Sequence, residues 1–169
     1  FTPFIDLIEA HPDQPALLEA AGSDRRAWFV ESVCWHEKQA DLEAALINSD
    51  WDAYTQVHML GDAGCPTAST PDDANVTLTD AINTVTISAN APRTGWLYLA
   101  DTDYPGWKAY VDDQPVPIYR ANLMFRAVQV DAGLHAVRFS YEPDLAAPAL
   151  LITVVSLVVL LFLFRLTDD

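Results

Sequence analysis

TVTISANAPRTGWLYLA, residues 84–100, carries the pattern on which the fold turns. In its first half Val85, Ile87 and Ala89 alternate with Thr84, Thr86 and Ser88. A period of two gives a strand one buried and one wet face, so a strand is predicted over 82–89. In the second half, over 95–100, apolar groups fall on both faces, as in a strand covered on both sides. Downstream, Trp107, Ala109 and Val111 share a face opposite Lys108 and Tyr110. Over 134–141, Val137, Phe139 and Tyr141 alternate with Ala136, Arg138 and Ser140. Turn signals fall between these runs at Pro105-Gly106, Asp112-Asp113 and Ala132-Gly133. Short strands at this spacing predict an antiparallel β-sandwich or jelly roll over 75–144.

Upstream the pattern changes. Residues 61–74, GDAGCPTASTPDDA, contain almost no apolar mass and read as a linker or long loop. Before it, RAWFVESVCW (26–35) and QVHML (56–60) read as strands. Residues 38–48 between them read as a helix with Leu42, Ala45 and Leu46 on one face. Strand, helix and strand predict a small α/β annex over 23–60. Residues 1–22 read as two short helical pieces, with Phe4, Ile5 and Ile8 at helical spacing and Gly22 as a C-cap.

At the other end, residues 145–164 read LAAPALLITVVSLVVLLFLF without a charge. Twenty helical residues span roughly 30 Å, the thickness of a bilayer core. The fourteen Leu, Ile, Val and Phe of this stretch favour insertion by roughly 4–8 kcal/mol. A single transmembrane helix is therefore expected, with Leu145, Pro148, Leu151, Val155, Val159 and Phe164 along it; a buried core helix is the alternative. Pro148 falls in the first turn, where its missing N–H costs little. Arg165 follows the run and Glu142 and Asp144 precede it. The positive-inside rule then places the short 165–169 tail in the cytoplasm of a bacterial cell and residues 1–144 outside. The chain begins with Phe1 rather than Met, so residues were removed or lie upstream.

The net charge of −15 argues against nucleic acid, whose phosphates it would repel, and against anionic lipid surfaces. Cys34 and Cys65 can form one disulfide outside the cytoplasm, the alternative being two unpaired thiols. His11, His36, His58 and His135 show no metal-binding spacing. Asp101, Asp103, Asp112 and Asp113 cluster around two turns, where Asp is an ordinary turn residue as well as a ligand or acid–base group. No catalytic motif, metal set or cofactor is expected. The aromatics are the chemistry that stands out. Tyr104, Trp107 and Tyr110 on a β-sandwich could stack on sugar rings, or could be core.

Tyr104-Pro105-Gly106-Trp107, Ala109, Asp112, Arg120-Ala121-Asn122, Arg126, Val128, Gly133, His135, Val137, Phe139, Tyr141 and Pro143 resemble the C-terminal extracytoplasmic region of the YfhO family of bacterial membrane proteins. RRAWFVESV at 25–33, the helix after it and Asp52 extend the likeness. This chain has Asp112-Asp113 where that family usually has Asp-Gly, and Asp131 where it often has Pro. The resemblance implies kinship with polytopic, GT-C-type glycosyltransferases that use lipid-linked sugars. It carries over no catalytic residue, because theirs lie in other loops. The sequence thus predicts a membrane-anchored accessory or structural subunit, held by the bilayer and by other membrane subunits. The alternatives are the C-terminal ectodomain of a polytopic glycosyltransferase, or an anchored carbohydrate-binding module with a glycan ligand.

Overall fold

Two sheets grow out of the alternation in the sequence. The computed structural model describes residues 25–48, 51–67, 74–143 and 146–167. Among these the order is β1 (Ala27–Val30), β2 (Ser32–His36), α1 (Gln39–Asn48), β3 (Gln56–Leu60), β4 (Asn75–Ala81), β5 (Thr84–Ala91), β6 (Gly95–Thr102), β7 (Trp107–Val111), β8 (Gln114–Val116), β9 (Tyr119–Ala121), β10 (Phe125–Val130), β11 (Gly133–Tyr141) and α2 (Ala146–Thr167). The helical pieces expected in 1–22, part of the 61–74 loop and Leu145 lie outside the described residues.

One sheet has six strands in the order β1-β6-β10-β9-β3-β2, and the other five in the order β4-β5-β11-β7-β8. The run 26–35, expected as one strand, breaks at Glu31. The reason is topological. β1 and β2 lie at opposite edges of the six-stranded sheet, yet one residue separates them. Two Cα steps span at most about 7 Å, so the sheet curls until its edges nearly meet.

The curl creates two cores. Trp28, Val30 and Tyr98 point inside it, against Leu42 and Leu46 of α1 and Val57 and Met59 of β3. Phe29, Leu97, Leu99, Val128 and Val130 point outward and meet Val85, Ile87, Val137 and Phe139 of the five-stranded sheet. β6 is covered on both faces, which is why 95–100 carries apolar groups on both. Leu42 and Leu46 are 1% and 0% exposed, each such burial contributing roughly 1.5–3 kcal/mol.

The annex expected over 23–60 is not a separate layer. β2 and β3 do form a parallel pair around α1, with Cys34 opposite His58. β3 also pairs with β9 through Met59 and Ala121, and β1 pairs with β6. The strands of 23–60 thus complete both edges of the six-stranded sheet, which is mixed rather than purely antiparallel. Segment 61–66 folds back over β2. Trp35 N–H donates to Gly64 O (2.8 Å), Gly64 N–H returns a bond to Trp35 O (3.1 Å), and a disulfide joins Cys34 to Cys65. The outer edge of β2 is thereby covered, which blocks edge-to-edge pairing.

α2 forms over the apolar run as a helix of 22 residues. Leu151 and Val155 are 65% and 53% exposed, and the Ser156 hydroxyl donates to Ile152 O within the helix. Among the described residues no helix is long and apolar enough to cross a membrane. The span expected over 145–164, with Pro148, Val159 and Phe164 along it, is thus not found as a membrane-crossing helix among the described residues.

Candidate functional site

The site begins at an irregularity in β6. Phe125 of β10 lies opposite Thr102, but Arg126 lies opposite Leu99, so Ala100 and Asp101 bulge. A bulge re-aims the side chains beside it. Asp101 accepts from Arg126 Nη2 at 3.0 Å, and from Arg26 Nε and Nη2, each at 2.7 Å. Arg26 reaches on to Asp80. Arg126 is 1% exposed, and its guanidinium lies 4.0 Å from the Trp107 ring centre and 5.2 Å from that of Phe139. Burial lowers the Arg126 pKa from its ordinary value against the pull of Asp101 and Asp103. Hydrogen bonding to Asp101 instead raises that of Arg26. A buried cation persists only when paired, so Asp101 fixes Arg126, and Arg126 supports the underside of Trp107.

The corner after β6 is Tyr104-Pro105-Gly106-Trp107. Gly106 has φ +105°, and a Cβ there would lie 2.6 Å from Tyr141 Cε2. Its carbonyl accepts from Glu142 N–H at 2.6 Å. Tyr104, Trp107 and Tyr141 pack as a cluster, with ring centres 5.4–6.0 Å apart. Tyr110, three positions past Trp107, donates to Glu142 Oε1 (3.2 Å), and Arg138 lies 4.2 Å over its ring. Lys108 pairs with Glu142 at 3.1 Å and holds that carboxyl below its ordinary pKa.

Beside this cluster lies a cleft of about 500 Å³, in which Tyr104, Trp107 and Tyr110 meet Lys108, Ile118 and Arg120. A second cleft of about 470 Å³ adjoins it, lined by Leu42, Met59, Tyr119, Leu123 and Met124. Asp103, Tyr104, Pro105, Ile118 and Arg120 border both. Asp103 and Arg120 form an ion pair at 3.3 Å on this shared border. Leu123 holds φ +71°, a conformation disfavoured for a bulky side chain and found where the surroundings impose it. The imposing contact is next to it. Fully buried Asn122 accepts from His58 N–H at 2.8 Å through Oδ1 and donates its own N–H to His58 O, also at 2.8 Å. Aromatic faces, a carboxylate and cations around an open apolar cleft can stack on a pyranose ring and hydrogen-bond its hydroxyls.

The three aromatics singled out from sequence thus border one cleft, and none of them is fully buried. The four aspartates do not come together. Asp101 faces Arg26 and Arg126, and Asp103 faces Arg120. Asp113 faces Arg138 at 3.7 Å. Asp112 accepts from Ala136 N–H at 2.9 Å and bonds His135 Nδ1 at 2.7 Å. The backbone bond, then His135, holds its carboxyl below the ordinary value. Asp112 and Asp113 have φ of 50° and 63°, so this hairpin takes the left-handed turn with Asp in both places. The residues that carry the family likeness are therefore mostly structural: a corner, a turn clamp and a buried ion pair beneath the cleft.

Sequence spacing missed one cluster. The parallel pairing of β2 and β3 brings Cys34, His36 and His58 together, with donor atoms within 4.8 Å of one another. Cys34 is committed to its disulfide. His36 Nε2 and His58 Nδ1 lie 2.9 Å apart, and the rings are 17° from parallel with centres 5.2 Å apart. That separation is what remains when two imidazoles lie end to end along the N···N contact. The lone pairs point at each other rather than converging on a third point, so this is a hydrogen bond and not a chelating pair. Burial, then His36, lowers the His58 pKa to about 4, and burial also lowers that of His36.

No curated protein and no solved structure matches this chain. A family model described as the bacterial membrane protein YfhO matches residues 69–153, half of the chain. The matched region holds β4 to β11, the cleft's aromatic corner and the first part of α2. With its motif residues placed as described, the chain belongs to the YfhO family of bacterial membrane proteins.

Proposed function

We propose that this chain is a membrane-anchored, extracytoplasmic glycan-binding domain, serving as a non-catalytic part of a larger membrane assembly. The observation that carries the reading is the convergence of Tyr104, Trp107 and Tyr110 on one cleft with Lys108 and Arg120. The carboxylate lining it, Asp103, is engaged by Arg120, and Lys108 is engaged by Glu142. That arrangement suits hydrogen bonding to hydroxyls better than proton transfer. The uncharged run 145–164 supports the anchor, with α2 crossing the bilayer, the β-domain outside and Arg165 inside. Thr153 and Ser156 in that run favour docking of α2 on other membrane subunits.

The test is titration of the full chain in detergent micelles with neutral oligosaccharides, followed by tryptophan fluorescence and calorimetry. Tyr104→Ala and Tyr110→Ala are expected to weaken binding about tenfold, a loss of about 1.4 kcal/mol, with circular dichroism unchanged. Leu134→Ala, outside the cleft, should leave affinity unaltered. No saturable binding by the unaltered chain would sink the reading.

The family match supports a second reading, in which the same domain is the terminal ectodomain of a polytopic glycosyltransferase acting on lipid-linked sugars. The intact mass of the native polypeptide separates the two. A mass near 18.7 kDa supports an anchored subunit, and one several times larger supports the enzyme.

A further inference from the structure

Ile82 is the most exposed large apolar side chain of the described β-domain, at 92%. It occupies the two-residue tip between β4 and β5, where Ala81 pairs with Thr84, and it belongs to neither core. Asn83 beside it takes φ +60°, so the tight turn is set by Asn83 and Ile82 is not needed for it. Tyr141 N–H donates to Asn83 O at 2.8 Å, and Glu142 N–H to Gly106 O at 2.6 Å. The last turn of chain before α2 is therefore held between the Ile82 tip and the Tyr104–Trp107 corner. α2 begins at Ala146, four residues past Glu142 and so within about 14 Å of it. Pro105 and Pro143 are exposed at the same end. Leu134, also exposed, lies at the opposite end of β11, about 23 Å away along the strand.

We propose that the Ile82 tip inserts into the headgroup–acyl boundary of the bilayer that holds α2, seating the β-domain on the membrane with its aromatic corner at the surface. The inference rests on the reading of α2 as a membrane anchor. An apolar tip flanked by tyrosine, tryptophan and proline suits the interfacial layer, where amphipathic rings collect. The charges nearby are paired, Asp80 with Arg26 and Lys108 with Glu142. With a chain charge of −15, seating depends on apolar contact rather than on attraction to anionic lipid. One consequence is that the cleft, which shares the Tyr104-Pro105 corner, opens close to the bilayer surface.

The test uses the full chain in phosphatidylcholine vesicles. Ile82→Cys and Leu134→Cys are each labelled with an environment-sensitive fluorophore, Cys34 and Cys65 being held in their disulfide. Because both positions are exposed, neither substitution disturbs a core. Flotation reports the anchor separately. The expected result is flotation of both variants, with blue-shifted emission at position 82 quenched by lipids spin-labelled near the headgroup and unchanged in high salt. Position 134 should emit as in water and be quenched by aqueous iodide. Flotation with water-like emission at position 82 overturns the seating while leaving the anchor intact. A blue shift that appears only in native membranes, and not in pure lipid, also overturns it and assigns the tip to a protein partner. Failure to float removes the anchor and this proposal with it.

Discussion

Gly106 sits at φ +105° with the Tyr141 ring where a Cβ would have to go. Gly106→Ala is accordingly expected to destabilise the domain by about 1–3 kcal/mol, read as a lower urea midpoint. An unchanged midpoint would mean that the corner relaxes freely. His58 sets a pH dependence. Its pKa is 6.5 in the open chain and about 4 when folded. Between these values the unfolded chain binds the extra proton, so stability falls as pH drops from about 6.5 toward 4 and is flat for this group above that. The loss is on the order of 2–3 kcal/mol. Asp112 and Glu142, also depressed, act at lower pH, since their ordinary values are 3.8 and 4.5. Urea midpoints between pH 7 and 4.5 should fall, and a flat profile would contradict the buried neutral imidazole. At this scale the turn residues were legible, because Pro105-Gly106 and Asp112-Asp113 announce local geometry. The His36–His58 contact was not, because it depends on a parallel register that no local spacing encodes.

Among the elements, the β2–α1–β3 unit is fastened by a disulfide closing a separation of 31 residues. In the chain-entropy account such a loop contributes about 3.5 kcal/mol. Reduction should lower the melting temperature and first increase amide exchange in β2 and β3. Uniform loosening would instead mean that the bridge acts on the whole sheet. The β6 bulge places Asp101 between two arginines. Asp101→Ala would leave buried Arg126 without its carboxylate and is expected to cost about 3–5 kcal/mol, read by the same urea titration. A cost below 1 kcal/mol would show that Arg126 finds water or another partner. β5, β7 and β11 were legible because each has one wet face and so alternates. β8 and β9 have three residues each, too few to show a period. The break at Glu31 was hidden because β-favouring residues continue across it. The buried Arg126 lies within the otherwise largely apolar run FRAVQV, a signal that a charge there needs a partner.

Taken whole, the described residues form two sheets and two cores, with β1, β6 and β10 of the six-stranded sheet as the wall between the cores; that sheet curls around α1 and the five-stranded sheet lies against its outside. The aromatic corner joins the two sheets where the chain leaves β11 for α2, which is why residues on β7, β8 and β9 reach one cleft. Sequence pattern supplied β5, β7 and β11 of the five-stranded sheet and the aromatic set, but neither β4 nor β8. It could not supply the curl, which follows from β1 and β2 occupying opposite edges across a single residue. The most direct test of the account is hydrogen–deuterium exchange of the full chain with and without a saturating oligosaccharide. Added protection over 102–110 and 118–124, with β4 and β5 unchanged, is the predicted result. Protection elsewhere, or none at saturating sugar, would contradict the assignment of the cleft as the glycan-binding site.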